Sequence, residues 1–158
     1  MTTYQLTKLI WDDGDFSDMG WHDTTLWSMH ANPDDFEFVV DLDYIFSWVC
    51  PASGKGPCEF WVAPVTMVFE NVGNVRIHIE SSQGTLEVAA LHRTEIAQTP
   101  NGKLTHWRYR FECQEGEATL TATGFKMFVR RPPVLVASQR LGFAQRQGVD
   151  FGRAFLPA

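Results

Sequence analysis

Hydrophobic and polar residues alternate along most of the chain with the two-residue period of a half-buried β-strand. The clearest run extends from Phe36 to Trp48, where every even position is apolar or aromatic, while Glu37, Asp41 and Asp43 occupy odd positions. Successive side chains of a strand point to opposite faces. The pattern therefore predicts a strand with one face in the core and an acidic face in water.

Further strands are predicted wherever this alternation recurs between turn residues. They cover Thr24–Ala31, Glu59–Glu70, Val75–Glu80, Leu86–Arg93, Thr105–Cys113 and Ala118–Val129. Pro64 should cause a bend or bulge in its strand, or place that strand at an edge, because proline has no N–H for a central ladder. Gly84 is predicted to join its two neighbouring strands as a hairpin, and Gly124 to form a bulge.

Seven or eight closely spaced strands predict an all-β fold with one or two short helices. The expected architecture is an antiparallel sandwich or a strongly curved, barrel-like sheet. Residues 1–158 are expected to form a single β domain, with an N-terminal segment 1–20, a sheet core 24–130 and a C-terminal segment 131–158. One short helix is expected in the N-terminal segment, and extended chain or a helical turn in the C-terminal one.

The predicted location rests on the N-terminal sequence and the cysteines. The first residues lack the apolar stretch of a signal peptide, and no run of about 18 apolar residues predicts a membrane span. Cys50, Cys58 and Cys113 cannot all pair, and an odd cysteine count is typical of a reducing compartment. We therefore predict a cytoplasmic protein with three buried free thiols and no association with a membrane.

Charge is distributed unevenly along the chain. No Lys or Arg lies between Lys8 and Lys55, a stretch with ten acidic residues, and the sign reverses from Lys126 onward. The net charge of −6 disfavours nucleic acid as a partner. Two interpretations stay open. The two ends of the chain neutralise each other within the fold, or the acidic segment faces a basic protein partner whose approach it accelerates and orients.

Asp41 and Asp43 are the first candidates for chemistry. Two residues apart on one strand, their side chains share a face about 7 Å apart, as an acid/base pair or cation ligands would. The alternative is that Arg76, Arg108 or Arg110 on neighbouring strands neutralises them. An Asp-x-Asp after an apolar strand also occurs in haloacid-dehalogenase-type phosphatases, but this chain lacks their strand–helix alternation and their later acidic ligands.

His22 and Asp23 form the second candidate site. With Asp41 and Asp43, His22 is a weak candidate for a metal ligand, although none of the five histidines has the spacing of a zinc motif. The alternative is that Asp23 caps the turn before Thr24 while His22 bonds to the backbone. No catalytic residue, metal or cofactor is assigned.

Aromatic residues extend the candidate surface. Most of the six tryptophans fit inward strand positions, but Trp48 and Trp61 flank a Gly- and Pro-rich loop and could line a groove. The predicted ligand or partner surface comprises His22, Asp23, Glu37, Asp41, Asp43, Trp48 and Trp61.

Several short motifs together resemble those of an uncharacterised family of small bacterial proteins. They are Trp21-His22-Asp23, Asp41-Leu42-Asp43-Tyr44-Ile45 with Trp48, Phe60-Trp61-Val62-Ala63-Pro64, Gly124-Phe125 and Arg131-Pro132-Pro133. The resemblance runs over most of the chain and implies no function, because none is established for that family. The compact, acidic, sheet-rich character is similar to that of bacterial toxin-immunity proteins, by analogy of shape and charge.

The leading hypothesis is a non-enzymatic interaction protein of immunity type that uses the acidic segment from Asp12 to Asp43 to bind a basic partner. The alternative is a small-ligand binder or metal-dependent enzyme centred on His22, Asp23, Asp41 and Asp43, which requires these four residues to converge. A third hypothesis is a lipocalin-like carrier with its ligand inside a barrel. The oligomeric state stays open.

Overall fold

The computed structural model describes residues 2–158 and contains one sheet of ten antiparallel strands. The strands are β1 (Ile10–Asp12), β2 (Thr24–Asn32), β3 (Glu37–Val49), β4 (Glu59–Glu70), β5 (Gly73–Ile79), β6 (Glu87–Gln98), β7 (Thr105–Cys113), β8 (Gly116–Ala122), β9 (Gly124–Val129) and β10 (Val134–Val136). Two 3₁₀ turns, Asp13–Asp18 and Pro33–Asp35, lie between strands. The all-β prediction is confirmed, but the count of seven or eight strands is too low, because β1 and β10 are too short to show alternation and one predicted strand, Ala118–Val129, is two strands.

The sheet folds back on itself. Its strand order is β1-β9-β4-β3-β2-β6-β7-β8-β5, and β10 also pairs with β4. β2 pairs with β3 along its length but with β6 only through Thr24 and Thr25. The narrow β2–β6 junction lets the two halves face each other, so that the Phe69 ring centroid of β4 lies 5.0 Å from that of Tyr109 on β7.

The space between the two halves is filled by aromatic side chains. Phe69, Tyr109, Phe111 and Phe125 are among the largest fully buried residues, and the ring centroids of Phe69 lie 5.0–5.9 Å from those of the other three. Edge-on contacts at this spacing add to the stabilisation from buried area. These rings occupy the interior in which a lipocalin-like carrier would hold a ligand, so the structure contradicts that hypothesis.

Pro64 lies inside β4, where the strand changes its partner on one side. β10 pairs with β4 as far as Val62, and β9 pairs with β4 from Val65 onward. The Pro64 carbonyl points to the β9 side, where it accepts the N–H of Arg130 at 3.1 Å. Because the N–H and C=O of a strand residue point the same way, the missing N–H falls in the gap between the two partners. β4 is therefore not an edge strand, and the N–H that Pro64 lacks is not needed where the partner on that side changes from β10 to β9.

Strand pairing departs from the prediction on the other side of the sheet. β5 pairs with β8, whereas β6 pairs with β2 and β7, so the predicted hairpin across Gly84 is wrong. The single predicted strand Ala118–Val129 is two strands separated at Thr123. Gly124 begins β9 at a point where the Asp13 side chain approaches closely, rather than forming a bulge within one long strand.

Two of the three cysteines are paired. Cys50 and Cys58 form a disulfide across the loop between β3 and β4, so the prediction of free thiols is wrong for them. Cys113 is free and buried as predicted, and burial raises the pKa of its thiol to about 11. The disulfide removes the odd-thiol argument for a reducing compartment.

Within residues 2–158, no helix combines the length and the apolar character needed to cross a bilayer.

Residues 134–158, the C-terminal strap, cross the outer face of β3 and β4. The strap begins with β10 at the edge of that face. Its Leu141 is buried and packs with Ile45 of β3 and with Phe60 and Val62 of β4 in a second, smaller apolar cluster. β3 and β4 are therefore covered on both faces, which is why their burial does not alternate.

Candidate functional site

Asp41 and Asp43 lie beneath the C-terminal strap with no exposed surface. This contradicts the prediction that the acidic face of β3 turns to solvent. Val39 and Ile45 share that face and are buried as well. Alternation identified the residues on one face correctly, but the cover comes from residues about a hundred positions later in the chain.

Two arginines bind these carboxylates. Arg146 donates from Nη2 to Asp41 Oδ1 at 2.6 Å, from Nη1 to Asp41 Oδ2 at 3.0 Å, and from Nε to Asp43 Oδ1 at 3.0 Å. Arg130 donates to Asp41 Oδ1 and to Thr66 Oγ1, both at 2.8 Å. The paired contact of Arg146 with Asp41 is the strong, bidentate form of a charge-assisted hydrogen bond.

Uncharged donors complete the surroundings of the two aspartates. Asp43 Oδ2 accepts the Trp27 indole N–H at 2.8 Å and the Leu141 backbone N–H at 2.9 Å. Asp41 Oδ2 accepts the backbone N–H of Asp150 at 3.0 Å. Each carboxylate oxygen thus has a donor from the protein, and neither aspartate is available as a solvent-facing acid or as a cation ligand.

The network balances two negative and two positive charges away from water. Burial alone would lower the pKa of Arg146, but hydrogen bonds and charges of Asp41 and Asp43 outweigh it and hold this pKa above its usual value. The guanidinium also lies 4.6 Å from the centroid of the Trp27 ring, a cation–π contact. Such networks add little net stability, but loss of one member strands a buried charge. The network therefore fixes where the strap lies.

The arginines expected to neutralise Asp41 and Asp43 are the wrong ones. Arg76, Arg108 and Arg110 lie on β5 and β7, separated from β3 by β2 and β6 or by more of the sheet. The partners come instead from the basic end of the chain. Arg130 and Arg146 bind Asp41, and Arg146 also binds Asp43. Arg153 binds Glu37 at 2.5 Å. For Glu37, Asp41 and Asp43, the two ends of the chain neutralise each other.

His22 and Asp23 lie elsewhere, at the start of β2. Asp23 lines a cavity of about 90 Å³. His22 Nδ1 is 2.9 Å from Asp23 Oδ2, and Gln139 of the strap donates to the same oxygen at 2.9 Å. His22 thus contacts the Asp23 carboxylate rather than the backbone. Asp23 has a left-handed φ of 66°, which aspartate adopts more readily than most residues.

Glu87 shares this cavity and was missed by the sequence analysis. Thr25 pairs with Glu87 across the β2–β6 junction, which brings the Glu87 carboxyl to Asp23. Burial, followed by the hydrogen bond with Asp23 and the charges of Asp23 and Glu115, raises the pKa of Glu87. A negative charge close to a carboxyl group disfavours its ionised form. Asp23 and Glu87 are far apart in the sequence and meet only because β2 pairs with β6, so no local sequence pattern predicts their contact.

The four residues of the metal hypothesis do not form one site. Asp41 and Asp43 belong to the arginine network, whereas His22 and Asp23 contact each other beside the small cavity. Over the described range 2–158, no group of three or more His, Cys, Asp or Glu side chains is arranged to hold a metal ion.

Trp48 and Trp61 do not line a groove together. Trp48 pairs with Phe60 across β3 and β4, so Trp61, the next residue, points to the opposite face. Trp48 is half-exposed, and its ring centroid lies 5.0 Å from that of Phe60 and 6.4 Å from that of His22. Trp61 packs against Tyr4 on the other side. Trp48 alone remains beside His22.

Carboxylates gather at one end of the sheet, where Asp12, Asp34 and Asp35 are exposed and the others are partly buried. Asp12 ends β1 opposite Lys126 of β9, and Glu70 ends β4 opposite the first residue of β9. β3 begins at this same end of the sheet, because Phe38 near its start pairs with Phe69 near the end of β4. We call this end the acidic rim; it comprises Asp12, Asp13, Asp15, Asp34, Asp35, Glu37 and Glu70.

The acidic rim is only partly neutralised. Lys8, Lys126 and Arg153 form ion pairs with Asp15, Glu70 and Glu37, respectively. Among residues 2–158, the other four carboxylates of the rim contact no Lys, Arg or His side chain. Phe36 stands next to two of them with 68% of its surface exposed.

Comparison with known proteins adds no relative. No protein-family model matches the chain, and neither a curated protein nor a solved structure is significantly similar to it. Function therefore has to be argued from the geometry of the molecule.

Proposed function

We propose that the protein is a non-enzymatic binding protein whose acidic rim engages a basic surface on a partner protein. One observation carries the proposal. The register of β1, β9, β4 and β3 brings the acidic residues 12–15 and 34–37, about twenty positions apart in sequence, to the same end of the sheet. Asp41 and Asp43, which the sequence analysis included in this surface, are not part of it.

The chemistry of the rim suits a protein–protein contact. Phe36 presents an exposed aromatic ring beside Asp34 and Asp35, and aromatic residues surrounded by polar ones are typical anchors of interfaces. Complementary charge contributes mainly to the rate and orientation of encounter. A compact domain that covers a basic partner in this way would act as an immunity protein does, by occupying the partner's surface.

Charge reversal on the hairpin between β2 and β3 tests this proposal. The full chain is immobilised, and proteins retained at low ionic strength are identified by mass spectrometry. We expect a partner with a basic surface that is released as salt rises, because charges at this surface are screened over about 10 Å at 0.1 M salt. Asp34→Lys with Asp35→Lys should abolish retention, and Phe36→Ser should weaken it.

The matched control reverses charge elsewhere. Glu80 follows β5 with a side chain that is 87% exposed, and Glu95 of β6 is exposed as well. Glu80→Lys with Glu95→Lys makes the same change in net charge as the doubly reversed variant and should leave retention unchanged. If the doubly reversed variant retains the same partner as the original chain, or if retention does not depend on salt, the proposal is wrong.

A cytoplasmic location remains part of the proposal, and the disulfide offers a test of it. Disulfides persist in oxidising compartments and are rare in the cytosol. Alkylation of thiols in intact cells, before lysis, should find Cys50 and Cys58 reduced if the protein is cytoplasmic. An oxidised pair in living cells would place the protein outside the cytosol.

A further inference from the structure

A trough of about 590 Å³ runs along β8 on the outer face of the sheet, away from the acidic rim residues. Its floor includes the short side chains of Thr119 and Thr121, and its walls include Arg76 of β5 and Arg108 and Arg110 of β7. Arg76 and Arg110 both pair with Thr119, and Arg108 pairs with Thr121. Short side chains between two rows of long ones create the depression.

The trough is cationic, and part of its charge has no counter-ion. Arg110 approaches Glu117 at 3.6 Å and Glu112 at 3.9 Å. In the part of the chain that the structure covers, residues 2–158, Arg76 and Arg108 form no ion pair, and both are exposed. Guanidinium groups gathered in a concave surface attract carboxylates, which match their planar fork of donors.

β5 forms the free edge of the sheet beside this trough. It pairs with β8 over Gly73–Ile79, and the strand order ends there. Its opposite edge therefore presents backbone N–H and C=O groups that can pair with a further strand. Val75 and Ile77 are 41% and 50% exposed, and by alternation their side chains lie on the face opposite Arg76.

We propose that β5 binds an extended acidic segment of a partner protein, which adds to the sheet as an eleventh strand. The backbone of the segment pairs with the free edge. Apolar and acidic residues alternate along the segment. Its apolar residues cover Val75 and Ile77, and its acidic residues face Arg76 and are attracted by the charge of Arg108. This surface is independent of the acidic rim and takes a ligand of the opposite charge.

Two other occupants fit the surface less well. A second copy of this chain, paired through the same edge, would bring Arg76 and His78 close to the same cations of its partner, and like charges across a strand pair destabilise it. Single-stranded nucleic acid needs aromatic rings on which bases stack, and no Phe, Tyr or Trp lines the trough. The net charge of −6 also opposes the approach of a polyanion.

The test uses a peptide matched to the seven residues of β5, in which glutamate alternates with valine and both termini are blocked. The peptide is titrated into the full chain, and backbone amides are followed by NMR and hydrogen exchange. We expect binding, slower exchange of β5 amides, and no binding of the same peptide with lysine in place of glutamate. Arg76→Glu with Arg108→Glu should weaken binding about tenfold or more, because the charge complementarity is reversed.

Matched controls separate this site from general electrostatics. Lys103→Glu with Arg140→Glu makes the same change in net charge at exposed positions away from the trough, and should bind the peptide as the original chain does. Asp34→Lys with Asp35→Lys should do so too, which separates this site from the acidic rim.

Several results would overturn the strand-addition proposal. They are a failure of the glutamate peptide to bind, binding that survives reversal of both trough arginines, and binding without slower exchange in β5. Tighter binding of an oligothymidylate than of the peptide would make the trough a nucleic-acid site instead. A dimer of the chain alone that forms through β5 would make a second copy the occupant.

Discussion

Arg146 contacts two buried carboxylates at once, and its replacement would leave both without their main counter-charge. We expect Arg146→Met to lower the free energy of unfolding by about 3–5 kcal/mol, the usual cost of breaking a buried ion pair from one side. Urea denaturation followed by tryptophan fluorescence measures this loss. Adding Asp43→Asn to the same variant should recover part of it, because the carboxylate left without a counter-charge disappears while Asp41 keeps its ion pair with Arg130.

Arg153 provides the matched comparison on the surface. It also pairs with an acidic residue, Glu37, but it is half-exposed. Arg153→Met should therefore cost no more than about 1 kcal/mol. Equal losses from Arg146→Met and Arg153→Met would show that burial does not set the strength of the network.

Glu87 contributes to the free energy of unfolding in a way that depends on pH. Burial and the neighbouring Asp23 raise the pKa of Glu87 in the folded state above the usual value for glutamate. The protonated form therefore favours the folded state, and this contribution is lost as pH rises through the folded-state pKa. Glu87→Gln stays neutral at all pH values. We expect the urea midpoint of the variant, relative to the original chain, to increase between about pH 4 and about pH 8. A constant or falling difference would contradict the assigned direction.

At the scale of elements, the C-terminal strap is held by a small apolar cluster as well as by charge. Leu141 is 2% exposed and packs with residues of β3 and β4. Leu141→Ala should lower the free energy of unfolding by about 2–5 kcal/mol, measured by urea denaturation. Leu156, also in the strap but half-exposed, serves as control, since its truncation should change stability by about 0.5 kcal/mol or less.

The loop between β3 and β4 gives a second prediction for an element. With Cys50 and Cys58 paired and Cys113 free, the denatured, unreduced protein should take up one alkylating group per chain. After reduction it should take up three, one for each cysteine of the chain. Mass spectrometry counts both states. Three groups before reduction would mean that the loop is not cross-linked.

Alternation along the chain located strands well but did not determine their neighbours. The predicted bounds of β4 and β7 match those of the structure, because turn residues mark their ends. Gly84 was a good turn signal, yet the strands on either side of it pair elsewhere. Alternation predicts the face of β3 on which Asp41 lies. That face is covered by the C-terminal strap, and no local pattern in the sequence encodes this long-range contact.

At the scale of the whole molecule, opposite charges pair inside the fold but lie apart on its surface. The acidic and basic ends of the chain meet inside, where Asp41 and Asp43 face Arg130 and Arg146. On the surface, an acidic rim and a cationic trough stay separate. The uneven charge along the sequence signalled the first arrangement, because acids early and arginines late can meet within one fold. Neither surface could be located without the strand order.

The distance in sequence between Asp41 and Arg146 has a consequence for biosynthesis. The two residues are 105 positions apart, so at about 5–20 residues per second a ribosome adds Arg146 roughly 5–20 s after Asp41. During that interval β3 can pair with its neighbours, but its carboxylates have no counter-charge and must keep their face of the sheet hydrated. The sheet therefore stays open on this side until the arginine emerges, and a nascent chain halted before that point cannot complete its fold.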